Sequence, residues 1–271
     1  MLLPLLSSVH NPKVRDWKSL CGPAKERRRQ GLFLAEGEHM AGEALGASSC
    51  RLLLVREDVT ERYRALIRQA EEADIPVQPV SEAVMAAVCD VRTPQGVAAL
   101  CPLPALTETL NTPVVAALED VQDPGNVGTI LRTLDAVGGG GLLITPGCAD
   151  PFSPKTLRAS MGAVFRVPVC LAQSLPEAVT ALPASGYRSL AGALDGTPFY
   201  ARPADGDRVV LLIGNEGAGL TEAVKALATE RVKLPMRGGA ESLNAAVACA
   251  VMLYDIERRR LEENGHAGTS V

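Results

Sequence analysis

The chain has 271 residues, of which 47% are hydrophobic and 21% charged, and its formal net charge is -4. This composition is typical of one large globular domain or two unequal ones, and it argues against extended disorder and against nucleic-acid binding by the whole surface. The sequence has no run of about eighteen apolar residues and no signal-peptide pattern, so we expect a cytoplasmic protein outside the membrane. Three histidines and seven scattered cysteines without a C-x-x-C pair provide little material for a zinc site or a histidine-based triad, and we expect no metal.

Basic residues are concentrated at the N-terminus, where residues 1–31 contain seven Lys and Arg against two acidic residues. Such a cluster can contact RNA phosphates or can form a solvated helix face, and its charge alone does not decide between the two. The candidate RNA-binding residues in it are Lys13, Arg15, Arg27, Arg28 and Arg29.

From residue 31 to 100, short apolar runs alternate with helical patterns in the order β-α-β-α-β-α-β. This order predicts a small α/β domain. The Pro- and Thr-rich stretch that follows is typical of a linker. We therefore predict an N-terminal domain over residues 1–105 and a linker over residues 106–113.

The rest of the chain contains six short runs rich in Val and Leu, separated by helical or loop segments. Continuous apolar strands of this kind are typical of a parallel sheet that is covered on both faces. A final helix is predicted from Asn244 to Arg260. The fold class is therefore α/β, with a larger parallel-sheet domain over residues 114–262 and a disordered tail over residues 263–271.

The first polar motif follows the first strand of this larger sheet. The strand ends at Glu119, and apolar residues at helical spacing begin at Val127. Asn126 stands at the predicted helix start, where it can cap the helix or bind a ligand. Arg132 falls opposite the apolar stripe, so it is either a solvated residue or a functional one.

The second motif is a glycine-rich loop after another apolar strand. Three glycines among residues 214–219 allow close approach of the backbone to a flat ligand, and Glu216 lies among them. Their order, and the lack of an acidic residue at the end of a following strand, argue against an NAD-dependent oxidoreductase. Glu216 can alternatively cap the helix that begins near Thr221.

The third motif lies between the last strand and the final helix. A flexible Arg-Gly-Gly turn is followed by Ser242 and Asn244. Either residue can cap the helix, but one cap does not account for both.

Together the three motifs resemble the signatures of the SpoU-type RNA 2′-O-ribose methyltransferases, in the SPOUT superfamily. They read N-V-G-x-I-x-R-T from residue 126, G-N-E-G-x-G-L from residue 214 and L-P-M-x-G-x-x-E-S-L-N from residue 234. The segment Arg158–Pro168 resembles the family's connecting segment, and residues 1–105 more loosely resemble its RNA substrate-binding domain, which is related to a ribosomal-protein fold.

The resemblance implies a deep trefoil knot in the C-terminal domain, although true knots are almost absent from proteins. It also implies S-adenosylmethionine as the cofactor, with its adenine held near Ile213, Gly214, Leu234, Met236 and Leu243. Asn215, Gly217 and Ser242 are assigned by the same resemblance to the cofactor site.

The resemblance further assigns Arg132 to activation of the ribose hydroxyl, with Asn126, Glu216, Ser242 and Asn244 shaping a site that is completed across a homodimer. Because a guanidinium is a poor proton acceptor, we expect Arg132 to steady phosphate and the developing alkoxide. Ribosomal RNA is the expected substrate. Transfer RNA, or a non-catalytic RNA-binding role for the same fold, are the alternatives.

Overall fold

A computed structural model describes residues 1–106 and 110–263. Its contacts divide the chain into two compact units. The first consists of Met1–Ala105 and Asp150–Arg166, and the second of the described residues of Leu106–Ala149 and Val167–Val271. The predicted domain over residues 114–262 includes the segment Asp150–Arg166, which belongs to the first unit, and the second unit also extends beyond the predicted range at both ends.

The first unit contains a four-stranded sheet in the order β1-β4-β2-β3. Strand β4 is antiparallel to β1 and β2, whereas β2 and β3 are parallel. The alternation predicted from residue 31 onward is observed, and two helices precede it. The elements are α1 (Pro12–Ser19), α2 (Ala24–Gln30), β1 (Leu32–Glu36), α3 (Glu38–Gly46), β2 (Leu52–Arg56), α4 (Arg64–Glu72), β3 (Val77–Val80), α5 (Glu82–Val88) and β4 (Val97–Pro102).

The remaining strands form a six-stranded parallel sheet in the order β10-β8-β9-β5-β6-β7. All residues of β5 and β9 are buried, which explains why these runs are continuously apolar. The predicted α/β fold with a parallel sheet is confirmed. The elements are β5 (Val114–Leu118), α6 (Pro124–Ala136), β6 (Gly141–Ile144), α7 (Pro154–Ser160), β7 (Val169–Leu171), α8 (Leu175–Ala181), β8 (Arg188–Pro198), β9 (Val209–Ile213), α9 (Glu222–Leu227), β10 (Glu230–Lys233) and α10 (Ala245–Glu263).

The segment Asp150–Arg166, which carries α7, packs with the first unit although it lies between β6 and β7. Its apolar side chains Phe152, Leu157 and Val164 are buried in the core of that unit. The ring centroids of Phe152 and Phe33 are 5.2 Å apart. Local apolar spacing suits either core, so the sequence pattern alone does not indicate with which unit this segment packs.

The two predicted irregular segments lie partly outside the described residues. Helix α10 continues to Glu263, so this first residue of the predicted tail is helical, and residues 264–271 are outside the described range. Residues 107–109 of the predicted linker are also outside the described range. Two of the described linker residues, Leu110 and Thr112, accept hydrogen bonds from the Tyr187 hydroxyl through their carbonyls. Among the described residues, no helix is long and apolar enough to cross a membrane.

A buried ion cluster anchors α10 to the segment between β8 and β9. The Arg202 side chain is fully buried and makes two hydrogen bonds, of 2.7 and 2.6 Å, to the Asp205 carboxylate. Its Nη1 donates to Asp255 Oδ2 of α10 at 2.7 Å. Burial opposes ionisation of Asp255, but the hydrogen bonds and charges of Arg202 and Arg258 together outweigh burial and lower the pKa of Asp255. Arg202 therefore compensates the buried Asp205 carboxylate, whereas Asp255 also pairs with Arg258 and Arg259.

We predict that Arg202→Met lowers the free energy of unfolding by about 3 to 5 kcal/mol, because it leaves Asp205 buried without its counter-charge. Arg258→Met is the matched control. Arg258 pairs with Asp255 and Glu262 but is 54% exposed, so its loss should cost far less than the loss of Arg202. Urea unfolding of both variants tests this, and equal losses would contradict a special role for the buried cluster.

Candidate active site

The first two polar motifs meet at the carboxyl edge of the six-stranded sheet. Strands β5 and β9 are parallel neighbours whose last residues, Leu118 and Ile213, are paired in register. The loops that follow them therefore start side by side, and the Glu119 N–H donates to the Ile213 carbonyl at 2.9 Å. This edge is where open α/β sheets bind ligands.

Glu216, in the loop after β9, is held by donors from the loop after β5. Its carboxylate accepts hydrogen bonds from the backbone N–H groups of Gln122 and Asp123, at 3.3 and 3.2 Å, and from Asn126 Nδ2 at 2.8 Å. Partial burial is the largest single influence and opposes ionisation, but these hydrogen bonds together lower the pKa of Glu216 below its ordinary value. Glu216 is therefore a fixed anion that organises the two loops.

Asn126 joins the second motif to the third. It is buried on α6, its Nδ2 donates to Glu216, and its Oδ1 accepts from Asn244 Nδ2 at 3.0 Å. The opposite amide orientation would place Oδ1 against the Glu216 carboxylate, so the network selects the amide orientation. Asn244 Oδ1 in turn accepts from the N–H groups of Ala246 and Val247 at the start of α10.

These contacts decide between the alternative capping roles. Asp123, rather than Asn126, caps α6, since its Oδ1 accepts from the Gly125 N–H at 2.7 Å. Thr221, rather than Glu216, caps α9. Asn244 is both a cap and a member of the polar network. The capping interpretations of Asn126 and Glu216 are therefore wrong.

The Arg132 side chain is not part of the polar network of its own chain. It is exposed on α6, whereas its neighbour Leu131 is fully buried in the apolar stripe. Six residues of helix separate it from Asn126, a rise of roughly 9 Å and a rotation of roughly 120°. The Arg132 side chain makes no hydrogen bond or ion pair with any described residue. The structure therefore leaves its guanidinium available to an external group.

An open cavity of about 530 Å³ lies beside the Glu216 loop. This volume is within the range of small-molecule and cofactor sites. Asn126, Arg132 and Asn244 are not among the lining residues. Glu216 lines it, together with all eight residues predicted to bind the cofactor, which are Ile213, Gly214, Asn215, Gly217, Leu234, Met236, Ser242 and Leu243.

The glycine-rich wall of this cavity is a tight backbone turn. A side chain at Gly214 would place its Cβ 2.1 Å from the carbonyl carbon of Gly219, and Gly219 itself has φ +70°. The Asn215 side chain holds the turn by accepting from the N–H groups of Gly217 and Ala218 at 2.9 and 3.0 Å. The turn therefore requires glycine for its own geometry, and it exposes backbone groups to the cavity.

Charged side chains that the motifs did not indicate also line the cavity. Asp195 at the end of β8 pairs with Arg231 at 2.8 Å, and Glu222 pairs with Lys225. The hydrogen bond from Arg231 lowers the pKa of Asp195. Asp195 and Arg231 meet because β8 and β10 are neighbours in the sheet, a pairing that local sequence does not reveal. Glu222 and Lys225 lie on α9.

The first unit contains the five basic residues predicted to bind RNA, and one of them is a structural residue. Arg27 is 3% exposed, its Nη2 is 2.5 Å from Asp150 Oδ2, and its Nη1 donates to the carbonyls of Leu20 and Gly22. It is therefore unavailable to RNA. The other four, Lys13, Arg15, Arg28 and Arg29, are exposed, and Arg29 pairs with Glu26.

Two family models match separate parts of the chain. The SpoU rRNA Methylase family matches residues 113–254, and the MRM3-like substrate binding domain matches residues 11–99. The first match contains all three polar motifs. The second covers most of the N-terminal range that resembles a substrate-binding domain.

Similar proteins extend over almost the whole chain. The 23S rRNA (guanosine(2553)-2′-O)-methyltransferase RlmP of Bacillus subtilis is 38% identical over 93% of this chain and 98% of its own length. The 23S rRNA (uridine(2479)-2′-O)-methyltransferase of Streptomyces viridochromogenes is 31% identical over 93% of this chain and 91% of its own. An AdoMet-bound rRNA methyltransferase from Sinorhizobium meliloti superposes with a TM-score of 0.83 at 30% identity, over 96% of this chain and 98% of that one. The expected resemblance is confirmed, and the chain belongs to the SpoU rRNA methylase family.

Proposed function

We propose that this protein transfers the methyl group of S-adenosylmethionine to a ribose 2′-hydroxyl of ribosomal RNA, in the cytoplasm. The observation that carries the proposal is the convergence of residues from the second and third motifs on one cavity, beside the Asn126 network. Ribosomal RNA is favoured over transfer RNA because the similar methyltransferases named above act on 23S rRNA. A non-catalytic role is disfavoured because the polar network is intact.

The cavity fits S-adenosylmethionine by its chemistry. Ile213, Leu234 and Leu243 provide apolar surface for a flat adenine, and the Gly214–Gly219 turn provides backbone groups for its polar edge. The carboxylates and ammonium groups at the rim, including Asp195 and Lys225, suit a ligand that carries both charges. When bound, S-adenosylmethionine supplies a methyl group on a positively charged sulfur. A nucleophilic oxygen can attack that methyl carbon, and the sulfur is then the leaving group.

The protein's part in the reaction is chiefly positioning. The Glu216 carboxylate and the Asn126 amide fix the loops after β5 and β9, and Asn244 fixes the start of α10 against them. Alignment of two reactants in this way can contribute about 7 to 11 kcal/mol to lowering a barrier. Ser242, at the cavity wall, can hydrogen-bond to the ligands that meet there.

Arg132 acts as an electrostatic anchor in this mechanism. A guanidinium stays protonated under accessible conditions, and it binds phosphate and oxyanions through several parallel N–H groups. An exposed Arg132 without a partner among the described residues can therefore hold the RNA phosphate and stabilise the alkoxide that develops at the 2′-oxygen.

We predict that Arg132→Ala reduces methyl transfer roughly 100-fold or more while the affinity for S-adenosylmethionine stays nearly unchanged, since Arg132 does not line the cavity. Radiolabelled methyl transfer to ribosomal RNA and calorimetry with the cofactor test this. Arg132→Lys, which keeps the charge but not the fork of donors, should retain part of the activity. An equal loss of cofactor affinity in Arg132→Ala would contradict the assignment.

A milder loss is expected for Asn126→Ala. This variant removes one hydrogen bond to a charged group and leaves the Asn244 amide without its acceptor, a cost of about 1.5 to 3 kcal/mol, or roughly 10- to 100-fold in rate. Thr129→Ala, on the exposed side of the same helix, is the control and should keep wild-type activity. Single-turnover methyl transfer measures both, and full activity in Asn126→Ala would exclude a positioning role for the network.

The active enzyme is a homodimer, and two features support this part of the proposal. Helix α10 buries one face through Cys249, Leu253 and Ile256, yet it exposes apolar Val247, Val251 and Tyr254 at helical spacing on another. A second copy can cover that stripe. Because Arg132 does not line the cavity of its own chain, a neighbouring copy can also bring its Arg132 to this site.

A charge placed in the stripe should therefore break the dimer. We predict that Val251→Asp sediments as a monomer and loses methyl transfer, because burying an unpaired carboxylate in an apolar interface is unfavourable. Leu227→Asp, which changes an exposed apolar residue of α9, is the control and should stay dimeric. Analytical ultracentrifugation decides, and a fully active monomer would refute the shared site.

The trefoil knot is part of the same proposal. Family resemblance supports it, as does the meeting of the residues before α10 with the loops that follow β5 and β9 through Asn244 and Asn126. A knot would hold these three segments together without further side-chain contacts.

A further inference from the structure

A second cavity, of about 380 Å³, lies within the first unit. It is lined by residues from the end of β1 and the start of α3, from the loop between α5 and β4, and from α7. Its polar residues include Glu36, His39, Gln95 and Arg158, and its apolar wall includes Met40 and Met161. The cofactor and the methyl-transfer network do not use any of these residues.

Arg158 carries a hydrogen-bond donor that the protein leaves unsatisfied. Its Nη2 donates to Asp90 Oδ2 at 3.0 Å, but its Nη1 is shielded from water and has no hydrogen-bond partner in the described part of the chain. The nearest carboxylate oxygen, Glu36 Oε2, is 3.8 Å from Nη1, which is too long for a hydrogen bond. A buried donor without an acceptor costs free energy, so this donor points to a missing acceptor.

The charge around Arg158 indicates what kind of acceptor is missing. Asp90 and Glu36 already place two carboxyl groups beside one guanidinium. Glu36 also accepts from the backbone N–H groups of Asp90 and Val91, so it is held in place. A phosphate would meet two acidic groups there, whereas a neutral carbonyl oxygen or ring nitrogen would not.

The remaining walls suit a flat aromatic ring. Met40 is buried and Met161 is 43% exposed, and thioether side chains pack favourably against aromatic rings. The Met161 carbonyl lies 3.2 Å from His39 Nε2, which fixes that wall. Gln95 Oε1 accepts from the Glu38 N–H, and its Nε2 has no partner among the described residues, so a second donor is available.

We infer that this cavity receives the base of one unpaired nucleotide of the substrate RNA, with Arg158 donating to a carbonyl oxygen or ring nitrogen of that base. The inference rests on the proposed function. Proteins that read RNA sequence splay out unpaired bases and bind their edges and faces. Aromatic residues are only 3% of this chain, and the methionine walls take their place as the surface for the ring.

The test compares RNA affinity among three variants at several salt concentrations, with unmodified large-subunit ribosomal RNA as the probe. Arg158→Gln removes the donor. Thr93→Trp fills the cavity from an exposed lining position without touching the Arg158 ion pairs. Arg92→Gln, an exposed position outside the lining, removes the same charge and is the matched control. Thermal unfolding verifies that each variant is folded.

We expect Arg158→Gln and Thr93→Trp each to weaken RNA binding roughly tenfold without changing the salt slope, because a base contact releases no counterions. If Arg92 contacts a phosphate, Arg92→Gln should change RNA binding only by reducing the salt slope of the affinity. Wild-type affinity in both cavity variants overturns the inference. So does a reduced slope in Arg158→Gln with no effect of Thr93→Trp, which would identify a phosphate contact.

Titration with free nucleoside monophosphates separates a base within RNA from a free nucleotide. Tight binding of a monophosphate that Arg158→Gln abolishes, with RNA affinity unaltered, would make the free nucleotide the occupant and overturn the inference. RNA affinity is measured without methyl transfer, so it tests the inference about the cavity independently of the proposed activity. A wild-type protein that binds ribosomal RNA through the cavity but transfers no methyl group would instead refute the proposed function.

Discussion

The site depends on one buried amide. Asn126 lies between the Glu216 carboxylate and the Asn244 amide, and its two ends differ chemically, so it can satisfy both partners in one orientation only. Its partners are separated from it by 90 and 118 residues of sequence. A single side chain thus contacts both of the other segments, and Glu216 adds hydrogen bonds from the Gln122 and Asp123 N–H groups. The cavity wall, the start of α10 and the loop after β5 meet through these contacts.

The cavity and the exposed Arg132 side chain lie in different parts of the second unit. The Gly214–Gly219 turn presents backbone to the cavity, leaves no room for a side chain at Gly214, and is held by the Asn215 side chain. The polar network lies beside it, and both the nitrogen and the oxygen of the Asn126 amide are hydrogen-bonded. Arg132, by contrast, is exposed on α6 and outside the cavity lining. Arg132 has no side-chain partner among the described residues, which is why we propose that another molecule completes the site.

The strands could be predicted because burial on both faces produces continuous apolar runs, as in β5 and β9. The role of Asn126 could not be predicted, because a polar residue at a helix start is equally suited to capping. The structure shows that Asp123 already provides the cap of α6. Arg27 was misjudged for a related reason. Its neighbours Arg28 and Arg29 are exposed, and the partner that buries Arg27, Asp150, is 123 residues away. The cavity-lining residues of β8 likewise depend on strand order, which local pattern does not encode.

The placement of Asp150–Arg166 has a consequence for how the chain is made. The first unit is discontinuous, because its core includes Phe152, Leu157 and Val164 from a segment that the ribosome synthesises after β5 and β6. Until that segment emerges, Arg27 lacks Asp150 and Phe33 lacks Phe152. The core of the first unit is therefore incomplete until two of the six strands of the next sheet, β5 and β6, have been translated. Strictly sequential domain folding, the usual order during synthesis, is not open to this protein.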